Sequence, residues 1–147
     1  VEGGRLMATS MNPVQAGLFS KLTGASGLTG LLAAGTAGVF FNVAPENQNP
    51  PYVVFNEQSP SVPIYAHSGV KFENAIYQVK GVTQSNSALS AGTIADQIDS
   101  ALADATLTVT GYTHHYCRRL QNVDYTELGP AGTRFQHRGA LYRVIVS

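Results

Sequence analysis

Charge is what this chain has least of. Only 12% of its 147 residues are Asp, Glu, Lys or Arg, about half the share usual for a soluble domain. Its surface must therefore be rich in Ser, Thr, Asn, Gln, Gly and Ala. Such a surface is either covered by partners or kept in solution by uncharged polar groups alone. The charges it does have cancel to a formal net charge of +0, which excludes a global attraction to nucleic acid or to an anionic membrane. The single cysteine, Cys117, excludes an internal disulfide and leaves no sign of an oxidising compartment. Long apolar runs are missing too. The longest apolar-rich stretch, 28–41, is broken by Gly30, Gly35 and Gly38 and falls short of the roughly 20 residues of a membrane span. The first residues lack the basic region and apolar core of a signal peptide.

What is present is enough for a core. Hydrophobic residues make up 44% of the chain, and the length suits one domain. We expect an N-terminal arm or cloning remnant over 1–10 and a single domain over 11–147.

The organising stretch is 70–105. Ala75, Tyr77, Val79 and Gly81 alternate with Ile76, Gln78, Lys80 and Val82, the period of a strand with one wetter face. Polar residues 84–87 break the pattern. Leu89, Ala91, Ile94, Ala95, Ile98, Ala101, Leu102 and Ala105 then fall on one helical stripe, which needs a flat apolar surface to cover.

Before it, residues 12–23 predict a helix with Asn12 at the N-cap, Pro13 at the first position and Gly24 at the end. A short helical turn follows, burying Leu28, Leu31 and Leu32. Residues 39–43 and 52–55 predict strands. Residues 56–69, with Pro60 and Pro63, read as a long connection, a kind usually functional or mobile. Its apolar residues Val62, Ile64 and Tyr65 would sit awkwardly exposed in a monomer. After the helix, 107–120 predicts a strand with a bulge at Gly111. Residues 121–132 predict a turn region, and 135–146 a closing strand. The fold class is α+β: a mostly antiparallel sheet with an N-terminal helix and one long amphipathic helix packed on one face.

No constellation carries catalysis. His115 and Cys117 would share a strand face, and His137 would complete three metal ligands only in the right register; two polar strand residues and a half-buried thiol are the plainer account. No glycine loop suits a phosphate. No catalytic residue, cofactor or metal is therefore assigned. Arg118, Arg119, Arg134, Arg138 and Arg143 lie on two strands expected to pair, with Asp124 and Glu127 near enough in sequence for cross-strand ion pairs. The other reading is a positive strip facing a partner or passing DNA.

The assembled order resembles the tail-completion or tail-terminator proteins of long-tailed bacteriophages, the group that includes small tail-to-head joining proteins. The resemblance is carried by the leading helix and Leu28-Thr29-Gly30-Leu31-Leu32, and by 39–43 running into Ala44-Pro45. Pro51-Tyr52-Val53-Val54-Phe55, the strand 75–81 and the helix from Ile94-Ala95-Asp96 to Ala101-Leu102 continue it. Tyr125-Thr126-Glu127, a turn and an arginine-bearing strand close it. The resemblance implies a non-enzymatic virion protein, assembled in the host cytoplasm, at the head-proximal end of the tail. It implies a homo-oligomeric ring, typically of six subunits, that ends tube polymerisation. Its partners would be the tail tube protein and the head connector or neck protein, with double-stranded DNA passing through the lumen without specific binding and no membrane. A head-completion, neck or tail-tube subunit is the alternative, and a small α+β ligand-binding domain a more distant one. The residues placed at contacts are Pro60, Val62, Pro63, Ile64 and Tyr65 in the connection, Ile76, Gln78 and Lys80 on the wetter strand face, and Arg118 and Arg138.

Overall fold

A computed structural model describes residues 9–65 and 71–147. The elements run α1 (Met11–Thr23), α2 (Ser26–Thr29), β1 (Val39–Phe41), β2 (Tyr52–Tyr65), β3 (Lys71–Gln84), α3 (Leu89–Leu102), β4 (His114–Leu128) and β5 (Arg134–Val146). The strands form one sheet in the order β1-β2-β3-β5-β4. Every pairing is antiparallel except β1 with β2. The α+β class and the mostly antiparallel sheet are as the sequence predicts.

One face of the sheet carries the helices. Ala75, Tyr77 and Val79 of β3 and Ala140, Tyr142 and Val144 of β5 are buried there with Ala91, Ile94, Ile98 and Leu102 of α3 and Val14, Leu18 and Leu22 of α1. The approach of α3 depends on glycine at one point: a Cβ at Gly81 would lie 2.3 Å from Ile94 Cγ2. Gly139 has the same role within the sheet, since a Cβ there would meet Val79 O at 2.0 Å.

Several boundaries differ from expectation. α1 begins at Met11 with Ser10 at the N-cap, not Asn12, and Ser10 makes no side-chain cap bond. Its N–H donates instead to Glu73 Oε1 at 3.0 Å, and its hydroxyl donates to the same oxygen, tying the helix start to β3. Of the expected arm over 1–10, residues 1–8 lie outside the described residues, and Ser10 is buried against Glu73. Leu31 and Leu89 are exposed rather than buried: the first follows the one-turn α2, the second starts α3 before it reaches the sheet. α3 ends at Leu102, and Asp104 turns the chain with φ 55°.

Residues 56–65 are not a loop. They continue β2, paired with β3 out to Tyr65↔Lys71, with irregular register between Glu57 and Ser59 and between Ser59 and Val62. β1 pairs only with 53–55, so beyond Phe55 β2 is an edge strand, where a proline withholds no ladder donor.

The expected strand over 107–120 starts late. Leu107 and Val109 are buried, but the chain joins the sheet only at Thr113, which exchanges backbone hydrogen bonds with Ser147; before that it lies against α1. A Cβ at Gly17 would sit 2.8 Å from Thr108 O. Gly111, with φ 83°, belongs to the turn that follows, not to a bulge in a strand. β4 then continues through the expected turn region to Leu128, so only the short turn around Pro130–Gly132 remains.

Candidate assembly surfaces

Three regions hold the residues singled out by sequence. The first is the distal part of the β2–β3 hairpin. β5 pairs with β3 no further than Glu73, so the pairs Ile64↔Phe72 and Tyr65↔Lys71 extend past the end of the sheet. Pro63, Ile64 and Tyr65 are exposed, Tyr65 at 70%. Pro60 and Val62 lie in the same strand; their side chains are outside the described residues.

The second is the face of the sheet opposite the helices. Ile76, Gln78 and Lys80 stand on it half-buried, and Val82 is buried. Register places Lys80 beside Gly139, with Val123 beyond, and Val82 beside His137, with Tyr125 beyond. Here the side chains cover one another. Tyr125 stacks on His137 with ring centroids 4.4 Å apart. Lys80 donates to the Tyr125 hydroxyl and stands 5.0 Å from its ring. His137 Nε2 lies 2.9 Å from Glu127 Oε1. A carboxylate only accepts, so Nε2 carries the proton and Nδ1 is left as an acceptor. Nδ1 is buried without a partner among the described residues. Burial holds the His137 pKa below its ordinary value, against the opposing pull of the Glu127 hydrogen bond, so the ring is neutral at pH 7.

The third is the β4–β5 hairpin with its arginines. The two strands pair as expected, and three of the arginines find acidic partners. Arg138 Nε meets Asp124 Oδ1 at 3.0 Å, Arg119 meets Asp99 at 3.7 Å, and Arg118 meets Asp104 at 3.4 Å. Glu127 takes His137 rather than an arginine. Arg118 and Arg138 do not act together. Arg138 points to the helix side, where it packs against Gly92 and lines a polar cleft of about 310 Å³ between α3 and β4. Arg118 pairs with Arg143 across the strands and lies 4.7 Å from the Tyr116 ring. At these exposures each pair contributes at most about 1 kcal/mol.

The histidine–cysteine set is not assembled. Cys117 pairs with Val144 and His137 with Tyr125, seven residues apart along β5, or about 23 Å by strand rise. His115 meets the Ser147 hydroxyl at 2.7 Å. Burial, with the nearby Asp104 charge, pushes the Cys117 thiol up to about 12, which makes it a core side chain rather than a nucleophile.

Sequence reasoning missed the free outer edge of β4 and the exposed Val43, Leu120 and Leu128. The alternation of Val123, Tyr125 and Glu127 was a signal for strand there, hidden by polar neighbours.

With this geometry in view, the chain was compared with known proteins. No curated protein matches it. Among solved structures, a chain from the "Virion of native gene transfer agent (GTA) particle" shares the fold with a TM-score of 0.74 at 16% identity, over 94% of this chain and 97% of that one. A family model described as "Tail completion protein gp17" matches residues 16–146. The chain thus belongs to the tail completion protein gp17 family, a bacteriophage structural protein of the virion tail.

Proposed function

We propose that this chain is the subunit of a homo-oligomeric ring, of six copies, at the head-proximal end of a long phage tail. The ring ends polymerisation of the tail tube, presents the surface that the head connector or neck protein meets, and leaves a lumen for double-stranded DNA. It does so by binding alone, without catalysis. The observation that carries this reading, beside family membership, is the β2–β3 hairpin. It extends beyond the end of the sheet and presents Ile64 and Tyr65 to solvent, an arrangement that favours insertion into a neighbour over independent solubility. Pro60 and Pro63 restrict the backbone of that arm, and Val62 stands between them in the same strand. The half-covered face with Ile76, Gln78 and Lys80 is polar enough to line a wet channel. Arg118 and Arg138 flank the two sides of the β4–β5 hairpin and complete the contact set.

The test changes the arm and leaves the sheet intact. Ile64→Asp with Tyr65→Asp should give a subunit with wild-type melting behaviour. Particles made with it should separate into free heads and free tails by electron microscopy, with joined particles reduced at least tenfold. Normal numbers of joined particles would remove the hairpin from the joining surface.

A further inference from the structure

The sheet ends on two edges that are alike in three ways. The first is β4. As far as Cys117 its outer side is flanked by the chain leaving α3: Asp104 N–H donates to Cys117 O at 2.9 Å, and Leu107 N–H donates to His114 Nδ1. From Arg118 to Leu128 the outer side has no backbone partner among the described residues. The second is β1, whose only strand partner among the described residues is β2.

Both edges lie at the same height. Phe40 pairs with Val54, Val54 with Lys80, Lys80 with Gly139, and Gly139 with Val123. The centre of β1 is thus level with the centre of the free part of β4. The two strands also run in opposite directions. β1 is parallel to β2, and three antiparallel steps separate β2 from β4. A β1 from another copy placed beside β4, with its sheet facing the same way, would meet it antiparallel, the more stable pairing.

Each edge also exposes apolar side chains. Leu120 and Leu128 are exposed on β4, the latter at 75%. At the other edge Val43 is exposed at 75%, and Phe19 and Phe41 line a groove of about 410 Å³ between α1 and β1. The segment that carries this edge has no charged residue: from Leu22 to Pro45 there is no Asp, Glu, Lys or Arg. Exposed aromatic and aliphatic groups beside an unpaired strand edge make a pairing template unless something covers it.

We propose that a second copy of this chain covers it. The β1 edge of one subunit, with Val43 and the Phe19–Phe41 groove, docks against residues 118–128 of the next, so that the sheet continues from subunit to subunit. The contact joins two different surfaces of one chain, which repeats head to tail and closes if the rotation per step allows. This rests on the ring reading above and names the surfaces that would build it. Arg119 and Gln121 flank a register irregularity, so the continuous ladder runs from Gln121 onward, opposite a strand edge without like charges to repel it.

Cysteine pairs test it in the full chain, on tails assembled without this protein. Phe40→Cys is combined in one chain with Gln121→Cys, Val123→Cys or Tyr125→Cys. Within one subunit these positions stand four strand spacings apart, about 19 Å, beyond the reach of a disulfide. At least one pair should give, on oxidation, a reducible ladder of covalent multimers, while variants with one added cysteine beside the buried native Cys117 give none. The pair that works best reads out the stagger. Two folding-neutral substitutions accompany them: Val43→Asp and Leu128→Asp should keep wild-type melting and weaken self-association at least tenfold. Wild-type rings, measured by mass, that form while no cysteine pair cross-links would overturn this interface and leave the ring standing. Covalent dimers from a variant with one added cysteine would also overturn it, since with Cys117 buried they need like edges to meet. Intact rings from Val43→Asp and Leu128→Asp that fail to join heads or tubes would assign the surface to another partner and overturn it as well. Wild-type protein that stays monomeric on tails would sink the ring reading and this interface together.

Discussion

Alternate residues of β3 live in different surroundings. Tyr77 and Val79 point into the helix-covered face and are at most 1% exposed, packed among α3, β2 and β5. Ile76, Gln78 and Lys80 point the other way and are half-buried, on the face without helices. On the first face, side-chain volume is dictated by packing, to the point that Gly81 is required where Ile94 comes close. On the second, long polar groups shelter one another, and the identity of each matters less to folding. That freedom leaves the open face available for the assembly role proposed above.

The contrast can be broken by measurement. The largest expected difference is between neighbours: Tyr77→Ala should destabilise the subunit by about 3–5 kcal/mol, and Gln78→Ala should stay within about 0.5 kcal/mol, both by urea unfolding. Comparable losses would mean that the open face is packed in the subunit itself. Next is Tyr142, whose hydroxyl donates to Asp99 Oδ1 at 2.9 Å at the margin of the covered face. Tyr142→Phe should cost about 1 kcal/mol, because Asp99 keeps Arg119; a change near zero would mean that water replaces the hydroxyl fully.

The smallest effect is expected on the open face, from His137. Its folded pKa lies below the ordinary 6.5, first through burial. The unfolded chain therefore binds the proton more readily, and stability rises with pH through this window. The contribution is present above the unfolded value and lost as pH falls through 6.5 toward the folded value. His114, also lowered by burial, acts with the same sign. Thermal melting from pH 8 to 5 should show a falling midpoint, and His137→Gln should flatten part of that slope. An unchanged slope would show that the ring is wetter than its stacking on Tyr125 implies.

The same two faces explain what could be read in advance. The covered face repeats with period, so α1, α3, β3 and β5 were legible from their apolar stripes. The first part of β4 was legible too, within the expected strand over 107–120; its second part was not, because the alternation of Val123, Tyr125 and Glu127 is hidden by polar neighbours, and Gln121, Asn122 and Asp124 looked like a turn. The reverse error came at Leu107 and Val109, where burial every second residue reflects an extended segment lying on α1 rather than a ladder. Ile64 and Tyr65 are exposed as expected, but Pro60 and Pro63 concealed that this segment is strand. The arginine pairs were half legible: Asp124 does take Arg138, whereas Asp99 and Asp104 come from the helical segment and no local spacing points to them.

By itself, then, the sequence determined the class, the two long helices, the core stripes, a neutral and weakly charged surface, and membership in a tail-completion family through the order of its elements. These depend on local periodicity and on composition, which a chain displays residue by residue. Tertiary structure alone decided where strands end, which edges stay free, and that β1 and β4 lie level at opposite sides of the sheet. Those follow from pairing between distant segments, such as Ser10 with Glu73 and Lys80 with Gly139. Such pairing is set by the combined burial and hydrogen bonding of the whole sheet rather than by any one stretch.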